Sequence, residues 1–400
     1  MIQMNQIHNI FTYPISDESI GILNDVLNGP PTEYNYFSLF RFYSTRFKDN
    51  AEIALKVTQS IREIHPEFLS IYIRTIVKKG VYDSYETKSD DISIVFPELL
   101  NHEFITLEQI AEVINSGNAT DNEADDDGPK DLLNNIDIKV IPKLFERYPK
   151  LNELCPNVAS NLIEHQKIIK EILSDETIVL PYASPIVVIG DSCNPRISKF
   201  GGHIPHLPHE PKPLCNDCHG EYSMICQIYV PSTPQFFQNY FPPNRRDALI
   251  LYFYCNNCYL NVKGKIYYGD DLDNLVYEYD KNFGYGTFNE PRIVTGWSEG
   301  LMAPMRSNDI VREIERKYCC SQISCDLAEF NDQFGPKPRT YIGGWPDFVQ
   351  SDTTPDNSVF LINFCESEAS TAMWGDCGTA QLWIGKGKDF DALYADWACC

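Results

Sequence analysis

The chain predicts an α+β protein, with an all-helical N-terminal region followed by a β-rich α+β domain holding an internal duplication and a four-cysteine zinc site. Three observations lead there. Through residues 1–177 apolar side chains recur at helical spacing. From Ile178 they fall instead into short β-branched and aromatic runs punctuated by Gly, Pro and Asn. Two Cys-x-x-Cys pairs, Cys215/Cys218 and Cys255/Cys258, stand at the ends of two such runs.

The helical elements follow in order. Ser16-Asp17-Glu18 caps a helix with Ile20, Leu23 and Leu27 on one side, ending at Gly29 before Pro30 and Pro31. Residues 34–47 are rich in Tyr and Phe and read as core. Ile53, Val57, Ile61 and Ile64 make one helical stripe. Pro66 opens the next helix, with Leu69, Ile73, Ile76 and Val77 on one face and Gly80 after it. Thr106-Leu107-Glu108-Gln109 is a capping box ahead of Ile110, Val113 and Ile114. Residues 118–130 are polar, acidic and poor in apolar side chains, so a flexible loop is expected. Helical signals resume with Val158, Leu162, Ile169, Ile172 and Leu173. Such helices stack as an α-solenoid with a peptide-binding concave face, or pack as an irregular bundle. No motif repeats at a fixed period.

A domain boundary is expected near residue 178, giving a helical domain over 1–177 and an α+β domain over 178–400. Strand-like runs fall at 178–180, 186–189, 224–230 and 248–254, and a helix at 308–317.

Each Cys-x-x-Cys brings two thiolates to one side of a tight turn. Two of them complete a tetrahedron with no open position, the structural type of zinc site. The first sits just before a strand and the second at the end of another. If these strands are antiparallel neighbours, all four sulfurs meet at one end of the hairpin. Asn216, Asp217, Asn256 and Asn257 fill the turns as residues tolerant of left-handed backbone. Bound zinc would stabilise the fold by on the order of 10 kcal/mol. His203, His206, His209 and His219 surround the first pair. Four thiolates already close the shell, so these read as loop and surface histidines. The alternative is a second metal or a catalytic zinc with a histidine ligand.

Two segments echo each other. Ser198-Lys199-Phe200-Gly201-Gly202-His203-Ile204-Pro205 is matched by Thr340-Tyr341-Ile342-Gly343-Gly344-Trp345-Pro346-Asp347. Each precedes a polar loop and two apolar strands, so two pseudo-repeats are expected, about 178–300 and 301–400. Paired glycines permit positive φ or close backbone approach.

Ser198-Lys199-Phe200-Gly201-Gly202, Gln227, Ile342-Gly343-Gly344-Trp345-Pro346-Asp347-Phe348-Val349-Gln350 and Trp374-Gly375-Asp376-Cys377-Gly378 resemble the YwqG-like family, a domain family of unknown function, over residues 178–400. The resemblance implies a duplicated α+β fold and supplies no activity. Gly201-Gly202, Leu214-Cys215-x-x-Cys218, Gln227-Ile228-Tyr229-Val230-Pro231 and Leu251-Tyr252-Phe253-Tyr254-Cys255-x-x-Cys258 are also similar to the programmed cell death 2 family. That similarity implies a dedicated chaperone of a ribosomal protein. The second half of the domain departs from that family.

The charge fits a basic protein partner. With 33 Lys and Arg against 56 Asp and Glu, the chain carries −23, spread along its length. Such a surface repels nucleic acid and anionic membrane; the plain reading is solubility. Residues 1–17 have no basic start and no long apolar run, so no signal peptide is expected. No stretch approaches the ~18 apolar residues of a membrane helix. A cytoplasmic or nuclear location is expected, where thiols stay reduced and paired cysteines serve as metal ligands. Cys399-Cys400 lacks a polybasic flank and reads as the end of a terminal strand rather than a lipid anchor.

There is no Walker A or H-E-x-x-H motif. Two function classes remain. One is a non-catalytic, zinc-stabilised protein-interaction module with chaperone character. The other is a hydrolase or transferase with its site between the duplicated halves, near Gly343–Asp347 and Trp374–Gly378, where Asp376 stands beside Cys377 with Glu366 and Glu368 nearby. Asp376 equally suits an Asx-turn that fixes this loop.

Overall fold

A computed structural model of the chain describes residues 51, 54–55, 58–59, 67–77, 91–117, 140–211, 214–255, 257–258, 261–278, 290–320, 322–337, 340–365, 374 and 378–399. The expected helix at 16–29, the aromatic segment 34–47, the stripe of Ile53, Val57, Ile61 and Ile64, and the acidic loop 118–130 lie outside them. So do Glu366, Glu368, Gly375, Asp376 and Cys377. The chain divides into two compact units, residues 1–168 and 169–400.

In the first unit the described helices are α1 (Phe68–Val77), α2 (Phe96–Asn101), α3 (Leu107–Gly117), α4 (Ile141–Arg147), α5 (Lys150–Leu154) and α6 (Pro156–Leu173), the last running past residue 168. The capping box at the start of α3 closes both ways. Gln109 N–H donates to Thr106 Oγ1 at 3.1 Å, and Thr106 N–H donates to Gln109 Oε1 at 2.9 Å. Leu69, Ile73, Ile76, Ile110, Ile114, Val158 and Leu162 are buried in one apolar core, as their spacing predicts. At its centre the Tyr72 ring lies 6.3 Å from Phe68 and 6.0 Å from Phe96.

The second unit is built on strands β1 (Leu180–Ile189), β2 (Lys199–Phe200), β3 (Ile204–His206), β4 (Tyr222–Tyr229), β5 (Ala248–Cys255), β6 (Val262–Tyr268), β7 (Val276–Glu278), β8 (Arg292–Met302), β9 (Tyr341–Gly343), β10 (Ser358–Phe364), β11 (Thr379–Gly385) and β12 (Leu393–Ala398). A short α7 (Gln235–Gln238) joins β4 to β5, and α8 (Asp309–Tyr318) and α9 (Ile323–Phe334) join β8 to β9. Ten strands make one antiparallel sheet in the order β12-β11-β10-β9-β1-β8-β2-β4-β5-β6, and β3 pairs with β7 apart from it.

This order is a palindrome of topology. β1 and β8 pair along their length, from Leu180↔Met302 to Ile189↔Arg292. Outward from β1 run β9, β10, β11 and β12; outward from β8 run β2, β4, β5 and β6. Each copy therefore sends its first strand into the sheet of the other. The expected division at 300/301 falls within β8. The duplication extends to single residues. Ile225 is an unpaired bulge residue between Met224↔Phe253 and Cys226↔Tyr252, and Leu361 is the same between Phe360↔Trp383 and Ile362↔Leu382. At the ends of β2 and β9 stand left-handed glycine pairs, Gly201 and Gly202 at φ 66° and 80°, Gly343 and Gly344 at 71° and 70°. A Cβ on Gly202 would strike the Asp191 carboxylate, and one on Gly344 the Met302 sulfur.

The sheet curls until its ends meet: Gly264 of β6 lies under Leu382 and Leu393 of β11 and β12. Cys226, Ile228, Ile250 and Tyr252 from one copy and Ile342, Ile362, Phe364 and Leu382 from the other form one enclosed core. Tyr252 stacks on Phe364 at 4.7 Å, an arrangement adding about 0.5–1.5 kcal/mol beyond burial. The outer face of the first copy buries Met224, Leu251 and Phe253 near the cysteines; that of the second buries Tyr341, Phe360 and Trp383.

Two expectations need correction. Residues 178–180 and 186–189 are not separate strands, because β1 runs through Pro181 and Pro185. The two prolines share parity, so both can turn away from β8, on the side where β9 covers only Tyr182 and Ala183. Strand β8 was not expected; within it the G-x-S-x-G spacing of Gly296-Trp297-Ser298-Glu299-Gly300 lies in mid-strand with Ser298 paired to Ser184, not on the strand-to-helix turn of a nucleophile elbow. Gly300 is required there, since a Cβ would collide with the Tyr182 ring. The terminal strand expected before Cys399 is β12, and the Cys399 carbonyl just after it accepts from Gln350 Nε2 at 2.8 Å.

Candidate metal centre

The register of the β4–β5 ladder sets Tyr222 directly opposite Cys255, so the start of one strand lies beside the end of the other. The first knuckle is closed by Cys215 N–H donating to Gly220 O and His219 N–H donating to Cys215 O, both at 2.9 Å. Its left-handed residue is His219, at φ 55°; Asn216, Asp217 and Asn257 keep ordinary backbone, and Asn256 lies outside the described residues. The turn is made by the residue after Cys218, not by those between the cysteines. Cys255 N–H donates to Asn261 O at 2.9 Å and closes the second knuckle.

The four thiols converge. Their sulfur atoms all lie within 4.8 Å of one another, with Cys215–Cys258 at 3.7 Å and Cys218–Cys255 at 3.5 Å. A tetrahedron with metal–sulfur bonds of ~2.3 Å has edges of about 3.8 Å, so the set fits one tetrahedral ion. Cys215 and Cys255 are buried, Cys218 and Cys258 partly so.

The surroundings are arranged for thiolates. Asn261 Nδ2 donates to Cys215 Sγ at 3.3 Å and lies 3.6 Å from Cys258 Sγ, while Asp217 Oδ2 holds the same amide at 2.8 Å. Gly220 N–H points at Cys218 Sγ at 3.4 Å. Backbone N–H groups, that of Cys218 first, pull the Cys215 thiol down to about 6, outweighing desolvation because the knuckle is covered but shallow. The Asn257 side chain, then Gly220 N–H, lowers Cys218. Burial pushes Cys255 up to about 12. Burial likewise raises Tyr222 to about 12, with Cys215 adding to it. Without a cation, one ligand thus ionises readily while another holds its proton.

The other singled-out residues have structural neighbours. His203 contacts Asp191 and His206 lies 3.8 Å from Glu278; among the described residues no histidine joins a metal-type cluster. Trp345 donates its indole N–H to Ile178 O at 2.7 Å, and Pro346 O accepts from Asn308 Nδ2 at 3.0 Å. Asp347 is buried, and its carbonyl accepts from Thr379 Oγ1 at 2.7 Å and Gln381 Nε2 at 2.9 Å. The Gly343–Asp347 turn thus stands beside Gly378, the residue before Thr379. Trp374 is buried against the Tyr254 and Tyr252 rings, at 5.0 and 6.2 Å.

Sequence reasoning missed one charged cluster. Lys199 is fully buried, and its ammonium donates to Asp191 Oδ1 at 2.6 Å, Ser192 O at 2.8 Å and His203 O at 2.8 Å. Asp191 Oδ2 also meets His203 Nδ1 at 2.6 Å and accepts its N–H at 2.9 Å. Burial pushes Lys199 below its ordinary value despite Asp191. Burial also works against Asp191, but the bonds from Lys199 and His203 outweigh it and leave the carboxyl below its usual range. In the other copy Tyr341 takes the place of Lys199, and its hydroxyl donates to Trp345 O at 2.8 Å. The signal for this was the Gly-Gly echo itself, which aligns Lys199 with Tyr341.

Among the described residues no helix is long and apolar enough to cross a membrane. No curated protein matches the chain. Residues 198–399, from the start of β2 to the end of β12 and so including both knuckles, match the domain of unknown function DUF1963, and the chain belongs to that family.

Proposed function

We propose that the second unit is a zinc-stabilised, non-catalytic protein-interaction module that shields a basic client protein in the manner of a dedicated chaperone. The observation that carries the first part is the tetrahedral spacing of four cysteine sulfurs. Four thiolates leave no coordination position for water or substrate, so the ion would hold the fold rather than do chemistry. A four-sulfur tetrahedron selects zinc or iron among biological metals, and zinc suits two knuckles that close a hairpin end.

The charge supports the second part. A net −23 steers a basic protein toward the chain and disfavours nucleic acid. The similarity of the zinc half to the programmed cell death 2 family points the same way. The Asp347 carbonyl, accepting from Thr379 and Gln381, holds the Gly343–Asp347 turn against β11, which suits a scaffold better than a reaction centre.

The test is affinity purification of the intact chain from lysate of its own cells at low and at moderate salt, with captured proteins identified by mass spectrometry. A stoichiometric basic protein that dissociates as salt rises is the expected result. Capture of no basic protein under either condition would overturn the client reading.

A further inference from the structure

The two copies differ most in one connection. In the first, β1 reaches β2 through residues 190–198; in the second, β8 reaches β9 through residues 303–340, which hold α8 and α9. These added helices and the Trp345–Gln350 stretch enclose an open cleft of about 680 Å³. That volume is in the range of small-ligand sites.

The floor of the cleft is apolar and rigid. Met305 and Phe348 line it, and Phe348 is buried and stacked on Trp383, rings 6.2 Å apart and 16° from parallel. The rim is cationic. Arg306, Arg312 and Lys337 line it, against the carboxylates of Asp332 and Asp347. Three cations and two anions line the cleft on a chain of −23, with Asp309, beside the lining, set against Arg312. Among the described residues Arg306 has no ion pair, and Arg312 has only an exposed contact with Asp309 at 3.3 Å. Both guanidiniums are exposed and available to an incoming anion, which arginine grips through paired N–H donors.

We propose that this cleft binds a small organic anion, a carboxylate or phosphate ester, with its charged group on Arg306 and Arg312 and its apolar body on Met305 and Phe348. The site is independent of the cysteine cluster, and it is absent from the first copy, where no inserted helices supply the rim. A cleft of about 680 Å³ suits a small molecule rather than an acidic protein.

The experiment is calorimetric titration of the full chain with phenyl phosphate and with benzoate, beside inorganic phosphate. At least one aromatic anion should bind, and at least about tenfold more tightly than inorganic phosphate. Arg306→Gln with Arg312→Gln should weaken it by about tenfold or more at unchanged thermal midpoint. Arg245→Gln, elsewhere on the same unit, should change nothing. If the double variant fails to fold, Arg306→Gln alone, which breaks no ion pair, must still weaken binding. Phenyl phosphate and benzoate distinguish the two acid classes. Absence of binding by both at millimolar concentration, affinity equal to that of inorganic phosphate, or binding unaltered in the arginine variants would each overturn the proposal.

Discussion

Tyr222 pairs directly with Cys255, and that one register position places the ends of two knuckles side by side. Shifting it by one residue would turn Cys255 to the other face of the sheet. The cysteine set therefore depends on the ladder, and the ladder on the set. Cys255→Ser should lose the metal and lower the urea midpoint sharply, whereas Cys193→Ser, an exposed cysteine outside the cluster, should alter neither. Metal content per chain and urea unfolding check this together.

Metal affinity should fall as pH falls, because protons compete for the thiolates. In the metal-free chain Cys215 is depressed to about 6. Its ionised form thus stabilises the fold above the ordinary thiol range, and that contribution is lost as pH falls through about 6. Cys255 is raised to about 12, so at neutral pH the ion must displace its proton. Competition with a chromogenic chelator at pH 8 and pH 6 should show weaker binding at the lower pH. Equal affinity at both would contradict the ionisation pattern.

Asp191→Asn leaves the Lys199 ammonium buried without a counter-charge. The expected loss is about 3–5 kcal/mol, read by urea unfolding at neutral pH. Lys199→Met added to Asp191→Asn should recover most of it, since the buried charge is then gone. Asp191 lies below its usual range, so its contribution is present above the ordinary carboxyl pKa and is lost as pH falls through the lowered value. The excess sensitivity of the wild type over the double variant should appear only below about pH 4.

Deleting Ile225 or Leu361 removes one bulge. Met224 and Cys226, or Phe360 and Ile362, then become consecutive residues on opposite faces, as their partners Phe253 and Tyr252, or Trp383 and Leu382, already are, so the ladder keeps its register and loses one buried apolar side chain. Each deletion should leave a folded chain destabilised by about 2–5 kcal/mol, while Ile225→Val should cost about 0.5–1.5 kcal/mol, both read by urea unfolding. Very different losses for the two deletions would contradict the matched roles of the two bulges.

Much of this architecture was legible because local chemistry and global position agree. Thr106 and Gln109 announce the start of α3, and β5 is buried along its whole length because both of its faces are apolar. The cysteine spacing named the cluster, and the strands between its pairs gave the geometry. What stayed hidden is long-range. β1 and β8 cross between the copies, and nothing within Arg292–Met302 says that Gly300 makes room for Tyr182. The Lys199–Asp191–His203 cluster was hidden too, since its one signal is the alignment of Lys199 with Tyr341, and a lysine by itself gives no sign of being buried. Asn261 escaped notice as a thiolate donor because an asparagine near a knuckle reads first as a turn residue.

The most direct test of the central claim is X-ray absorption at the zinc edge on the purified full chain, with metal content measured on the same sample. One zinc per chain with four sulfurs at about 2.3 Å and no nitrogen or oxygen in the shell is the predicted result. A chain purified without zinc that keeps its stability, or a shell containing a light-atom ligand, would contradict a closed, structural centre.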